Sequence, residues 1–163
     1  MLIFDFDGTL VDSNGVWVEA DNAFLARRGL RATPEYTQMM GHSIFPIAAQ
    51  ITREYYRLDQ SPEEIMEEWL GLSRNAYAFQ VPLKPAAAEF LARCAQAGEA
   101  MALFTACVPE LCQAALTRHR LDGYFQAVIY AQELGLEKRD PKAFPLLLEQ
   151  LGVSPEQCTL FDD

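Results

Sequence analysis

Strand and helix patterns alternate through the second half of this chain, and that alternation narrows the possible fold more than any other feature. Glu99–Phe104 (EAMALF), Phe125–Tyr130 (FQAVIY) and Cys158–Phe161 (CTLF) are short apolar runs. Ala86–Ala97, closed by Gly98, reads as a helix, as do Pro109–Arg118 and the stretch from Asp140-Pro141 to Gly152. Such a series predicts an α/β protein with a parallel sheet and helices on its faces. One more apolar run, Leu2–Phe6, lies apart from the others near the N-terminus and predicts a further buried strand.

Between that first strand and the alternating half, the pattern is helical. Gly15–Arg28 carries Val16, Phe24 and Leu25, with Gly29 as the stop. Thr33-Pro34 starts a second helix that ends at Gly41, and Ile44–Tyr56 gives a third. Ser61-Pro62-Glu63-Glu64 reads as a capping box with proline at the first helical position, opening a helix that runs towards Ala78. Val81-Pro82-Leu83-Lys84-Pro85 then breaks the period. The expected organisation is an α/β core made of residues 1–13 and 81–163, interrupted by a helical module at 14–80.

A length of 163 residues, half of them hydrophobic, allows one such core with a small insert. The net charge of −10, without a Lys/Arg cluster, argues against a nucleic-acid partner. No long uncharged apolar segment suggests a membrane span, and no basic leader precedes Leu2. Cys94, Cys107, Cys112 and Cys158 are scattered, and Cys107 and Cys112 have no second pair to complete a zinc site. The expectation is reduced thiols in a cytoplasmic protein.

The chemistry concentrates in Asp5-Phe6-Asp7-Gly8-Thr9-Leu10-Val11-Asp12-Ser13. If strand geometry continues through Phe6, Asp5 and Asp7 point to the same side. Both then lie at the C-terminal end of a parallel strand, where open α/β sheets hold their ligands. One carboxylate can attack an electrophile while the other handles a proton. Gly8 lets the backbone turn away at once.

This stretch resembles the first signature of the haloacid dehalogenase superfamily, and the order of the later elements is similar to its Rossmann-like core. The resemblance implies a magnesium-dependent phosphohydrolase of small phosphate monoesters. Asp5 would be the nucleophile that forms an aspartyl-phosphate, and Asp7 the general acid/base. An Asp at the position of Asp7 sets the chain apart from dehalogenases and phosphonate-cleaving members. Thr105, after Met101-Ala102-Leu103-Phe104, matches the second signature, its hydroxyl and the N–H of Ala106 facing phosphate oxygens. Many relatives carry Asn where this chain has Ala106. Lys138 matches the third signature, a cation that neutralises nucleophile and phosphate, with Arg139 and Lys142 as competitors. Asp162-Asp163 matches the fourth. The implied Mg²⁺ set is Asp5, the backbone carbonyl of Asp7, and Asp163, with Asp162 acting through water.

In relatives a helical cap occupies the place of residues 14–80, closes over the site and chooses the substrate. His42 lies where some relatives place residues near the substrate, and here it is read as structural. Trp17, Trp69 and the Tyr55-Tyr56 pair are read as cap packing. Relatives continue past the fourth signature with another strand and usually a helix, whereas this sequence stops at Asp163. That implies a core lacking its C-terminal part, Cys158–Phe161 pairing beside Leu2–Phe6 with its outer edge bare, and poor metal occupancy. A phosphosugar mutase, or a truncated relative without turnover, are the alternatives to hydrolysis.

Overall fold

The computed structural model describes every residue except His42, so the expectation for that side chain falls outside the described residues. Four parallel strands form one sheet: β1 (Leu2–Phe4), β2 (Met101–Thr105), β3 (Ala127–Tyr130) and β4 (Thr159–Phe161), in the spatial order β3-β2-β1-β4. Leu2 pairs with Met101 on one side and Thr159 on the other, so the first strand is central and every crossover is long enough to carry a helix. β2 is buried along its whole length, as a strand covered on both faces requires. β4 is the expected neighbour of β1. It is an edge strand with Leu160 41% exposed, and among the described residues no further strand pairs with it.

Four helices separate β1 from the rest: α1 (Asn14–Ala26), α2 (Pro34–Met40), α3 (Phe45–Tyr56) and α4 (Pro62–Phe79). None of the described residues in 14–80 joins the sheet. Local signals account for two of the starts. Thr33 Oγ1 accepts from the Tyr36 N–H at 3.1 Å, and Ser61 and Glu64 form the reciprocal capping box. Their apolar faces meet in an aromatic cluster in which Trp69 packs between Phe24 and Phe45, at centroid distances of 5.6 and 5.7 Å. Tyr36, Tyr55 and Tyr56 form a second aromatic group within the same four helices, as expected of packing residues. Burying Phe24 and Leu25 contributes about 1.5–3 kcal/mol each.

The two connections into the helical module lie side by side. The Asp12 N–H donates to Pro82 O at 2.9 Å, and the Lys84 N–H donates to Leu10 O at 2.9 Å. Val11 bridges Leu83, and Lys84 pairs with Asp12 at 3.4 Å. On the core side, α5 (Ala87–Gln96), α6 (Pro109–His119) and α7 (Ala143–Leu151) complete the fold.

Several expected boundaries move by a residue or two, and two of the shifts have a visible cause. β1 ends at Phe4 rather than Phe6, because the Phe6 carbonyl accepts from the N–H groups of both Leu10 and Val11 and is drawn into a turn. α7 begins at Ala143 rather than at Asp140-Pro141. Asp140 Oδ1 instead takes the Lys142 N–H at 2.8 Å, a local turn that competes with the helix.

Candidate active site

Asp5 follows β1 directly, and its N–H still donates to Phe161 O at 2.9 Å, so the backbone beneath it is fixed by the sheet. The side chain is buried, and its Oδ1 lies 2.9 Å from Lys138 Nζ. Lys138 stands beyond the C-terminal end of β3, after the short turn at Ala131–Leu134 and the left-handed Gly135. The same ammonium reaches Asp162 Oδ1 at 2.9 Å. One cation therefore joins residues that follow three different strands. Burial lifts the Asp5 carboxyl to about 6, and the Lys138 charge and hydrogen bond hold it from rising further.

Asp5, Asp162 and Asp163 each offer an oxygen to a common point, all within 4.8 Å of one another. Hard carboxylate oxygens at this spacing fit a small divalent cation such as Mg²⁺. Gly8 explains how Asp163 comes so close. With φ of +81°, Gly8 closes the turn after Asp7, and a Cβ there would lie 2.1 Å from Asp163 Oδ2.

Asp7 meets a different set of groups. Its Oδ1 accepts from Ser13 Oγ at 2.5 Å and from the Tyr77 hydroxyl at 2.7 Å. Burial raises its pKa, while the donors Ser13, Tyr77 and Cys107 work in the other direction. Neither Ser13 nor Tyr77 was assigned a role in the sequence reading. Ser13 at least sits within the signature stretch, whereas Tyr77 comes from the last turn of α4 and carries no local signal.

Thr105 ends β2, fully buried, and its Oγ1 accepts the Cys107 N–H at 2.9 Å. That bond is a local turn cap and leaves the hydroxyl proton to donate elsewhere. Ala106 and Cys107 follow it into the wall of a cavity of about 420 Å³ between the helical module and the sheet. Asp7 lies at the sheet end of this cavity, while Asp21, Asn22 and Tyr36 come from the helical side. Trp17 and Trp69 pack as expected, and they also line the cavity. A second cavity of about 430 Å³, lined in part by Pro46, Glu63, Met66 and Glu133, touches none of the clustered aspartates. Of the competitors of Lys138, Arg139 pairs with Glu137 at 2.6 Å, and neither Arg139 nor Lys142 forms an ion pair with Asp5, Asp162 or Asp163 among the described residues.

Three acids and a lysine thus gather at the strand ends of a parallel sheet that carries four inserted helices after its first strand. The chain belongs to the haloacid dehalogenase-like hydrolase family, whose model matches residues 2–163. Among curated relatives, the plasmid protein CbbY of Cupriavidus necator is 29% identical over 182 residues, covering 99% of this chain and 70% of that protein. Fructose-1-phosphate phosphatase YqaB of Escherichia coli is 27% identical, covering 99% of this chain and 85% of that one. In fold, the chain is similar to the crystal structure of CbbY from Rhodobacter sphaeroides in complex with phosphate. The TM-score there is 0.80 at 19% identity, over 98% of this chain and 75% of the other.

Proposed function

We propose that this protein is a magnesium-dependent phosphohydrolase of small phosphate monoesters, with phosphorylated sugars as the substrate class suggested by its relatives. The observation that carries the reading is Lys138 held 2.9 Å from both Asp5 and Asp162, beside Asp163. An anionic nucleophile attacking an anionic phosphate needs fixed positive charge, and this arrangement supplies it. Asp5 attacks phosphorus and the bond to the leaving oxygen breaks, giving an aspartyl-phosphate. Asp7 gives its proton to that oxygen, then takes one from the water that attacks phosphorus in the second step. The second step releases phosphate and restores Asp5. Asp5, Asp163 and the carbonyl of Asp7 would hold Mg²⁺, with Asp162 acting through water. When bound, the ion supplies charge that draws the phosphate onto the acids. Thr105 and the Ala106 N–H would steady the phosphate oxygens.

In this reading residues 14–80 form a cap and residues 1–13 and 81–163 the catalytic core, the paired connections at 10–12 and 82–84 serving as the hinge. No helix is long and apolar enough to cross a membrane. The net charge of −10 argues against nucleic acid as a partner, and a cytoplasmic setting belongs to the same reading. The test is phosphate release from an aryl phosphate with Mg²⁺. Asp5→Asn should abolish it with the fold intact, and Asp7→Asn should lower it by about two to four orders of magnitude. Turnover retained by Asp5→Asn, with reversion to Asp excluded, overturns covalent catalysis by this residue.

A further inference from the structure

The cavity above Asp7 has a chemical character that the shared machinery does not dictate. From α1 it receives Trp17, Val18, Asp21 and Asn22, at the spacing that puts them on one face of a helix. α2 adds Tyr36 and Thr37. Among the described residues that line it, none is Lys or Arg, and Asp7 and Asp21 are both acidic.

Asp21 is held in place. The buried Tyr36 donates its hydroxyl to Asp21 Oδ1 at 2.9 Å, and the Tyr36 oxygen lies 2.8 Å from Thr52 Oγ1. With the Tyr36 proton on Asp21, the single Thr52 proton is shared between the Tyr36 oxygen and Ala48 O, which lies 2.9 Å from Thr52 Oγ1. The Tyr36 hydroxyl fixes Oδ1, and among the described residues nothing pairs with Oδ2, so Asp21, which lines the cavity, has an oxygen left to accept a hydrogen bond. A fixed acceptor carboxylate suits a hydroxyl and repels an anion. Asn22 and the indoles add amide and apolar surface of the sort that a sugar or polyol presents its two faces to.

We propose that the cavity selects phosphate monoesters whose leaving group is uncharged and hydroxylated, with Asp21 accepting one of those hydroxyls, and that it rejects leaving groups bearing a second phosphate or a carboxylate. The inference rests on the phosphohydrolase reading for which group is leaving, and it deepens that reading by narrowing its substrate class to esters whose leaving group carries no further charge. It also separates hydrolysis from a mutase cycle, which must seat a bisphosphate in this same space.

Fructose 1-phosphate and fructose 1,6-bisphosphate differ only by the second phosphate, and ethyl phosphate lacks the hydroxyls. Binding of each to Asp5→Asn protein with Mg²⁺, read by calorimetry, tests the cavity without turnover. Fructose 1-phosphate should bind at least about tenfold more tightly than either of the others. Asp21→Asn should remove most of its advantage over ethyl phosphate. Val18 is 60% exposed at the cavity rim, so Val18→Lys should fold normally and narrow the gap to the bisphosphate by about tenfold. A bisphosphate that binds as well as the monophosphate, or a gap unmoved by Val18→Lys, overturns the inference. Aryl phosphate turnover by the unmodified protein reads the chemistry separately. Turnover without the binding preference sinks the cavity inference alone, and the preference without turnover supports it while sinking the hydrolase reading.

Discussion

Tyr77, in the last turn of α4, donates its hydroxyl to Asp7 Oδ1 across 2.7 Å. The last turn of the module that sits over the sheet thus touches the proposed acid/base directly. Tyr77 is fully buried, and Asp7 and Ser13 are its polar neighbours. Arg74, one turn earlier, pairs with Glu110 of α6 at 2.8 Å and ties the same helix to the core. Seating the module and orienting Asp7 are one event in this geometry.

Tyr77→Phe keeps the ring and removes only the donor. Losing one neutral hydrogen bond to a carboxylate should lower kcat by about fivefold to tenfold, with little change in KM. Ser13→Ala should act in the same direction, since its hydroxyl reaches the same oxygen. Steady-state kinetics on both variants and on the double variant check this. A double variant no worse than either single one would show that the two hydroxyls act as a unit.

Lys138→Met should lower turnover by about 100-fold or more, because Asp5 and the phosphate then face each other without a fixed cation. Inorganic phosphate should also inhibit the variant more weakly than it inhibits the unmodified protein. Equal phosphate inhibition in the two proteins would show that Lys138 serves the acids alone and does not reach the substrate.

Much of the geometry of the candidate site was legible because its signals are local or ordered along the chain. Asp5 and Asp7 stand in one short motif, and Ser61 and Glu64 lie within one helical turn. Lys138 and Asp163 could be placed because strand and helix alternate, and a parallel sheet brings successive strand ends to one edge. Tyr77 lies 70 residues from Asp7 and reads as the ordinary end of a helix, so only the folded packing shows its contact. Asp21 is similar. Its place in the cavity depends on how α1 is rotated against α2, which the 3.6-residue period leaves open. The misplaced ends of β1 and α7 share a cause: in both, a single carbonyl or carboxylate oxygen captured nearby N–H groups that the regular element would have used.

Stability should show a pH-dependent component where α1 meets α4. Glu68 accepts from Arg28 at 2.6 Å and from Arg27 at 3.0 Å, and Arg28 stacks on Phe24 with its guanidinium 3.7 Å from the ring centroid. The Arg28 hydrogen bond, chiefly, holds the Glu68 carboxyl below its ordinary 4.5, against the effect of burial. A carboxylate depressed in the folded state stabilises the fold above its unfolded pKa, and that contribution is lost as pH falls through the folded value. Glu68→Gln should therefore cost about 1 kcal/mol at neutral pH. In denaturant titrations the gap to the unmodified protein should narrow as pH falls past the ordinary carboxyl value and close only below the depressed folded one. A gap that persists in acid would assign the effect to packing rather than charge.

Gly8 and Asp163 offer a way to disturb the acids proposed to hold Mg²⁺ without touching a carboxylate. Gly8→Ala adds two penalties. The left-handed φ of +81° costs an alanine about 1 kcal/mol. The new Cβ would also stand 2.1 Å from Asp163 Oδ2 and 2.7 Å from its Cγ, so the Asp163 side chain must swing away. Gly29 separates the two penalties, because its φ is +69° and a Cβ there meets nothing within 4 Å. Gly29→Ala should lower the thermal midpoint by a few degrees and leave the Mg²⁺ dependence of phosphate release unchanged. Gly8→Ala should lower the midpoint at least as far and also raise the Mg²⁺ concentration for half-maximal activity by about tenfold, as expected when one ligand of a small oxygen site is displaced. Activity at saturating Mg²⁺ should recover in part. Indistinguishable Mg²⁺ curves for the two variants would show that Asp163 is not held in a metal position by its approach to Gly8, and would remove it from the proposed ligand set.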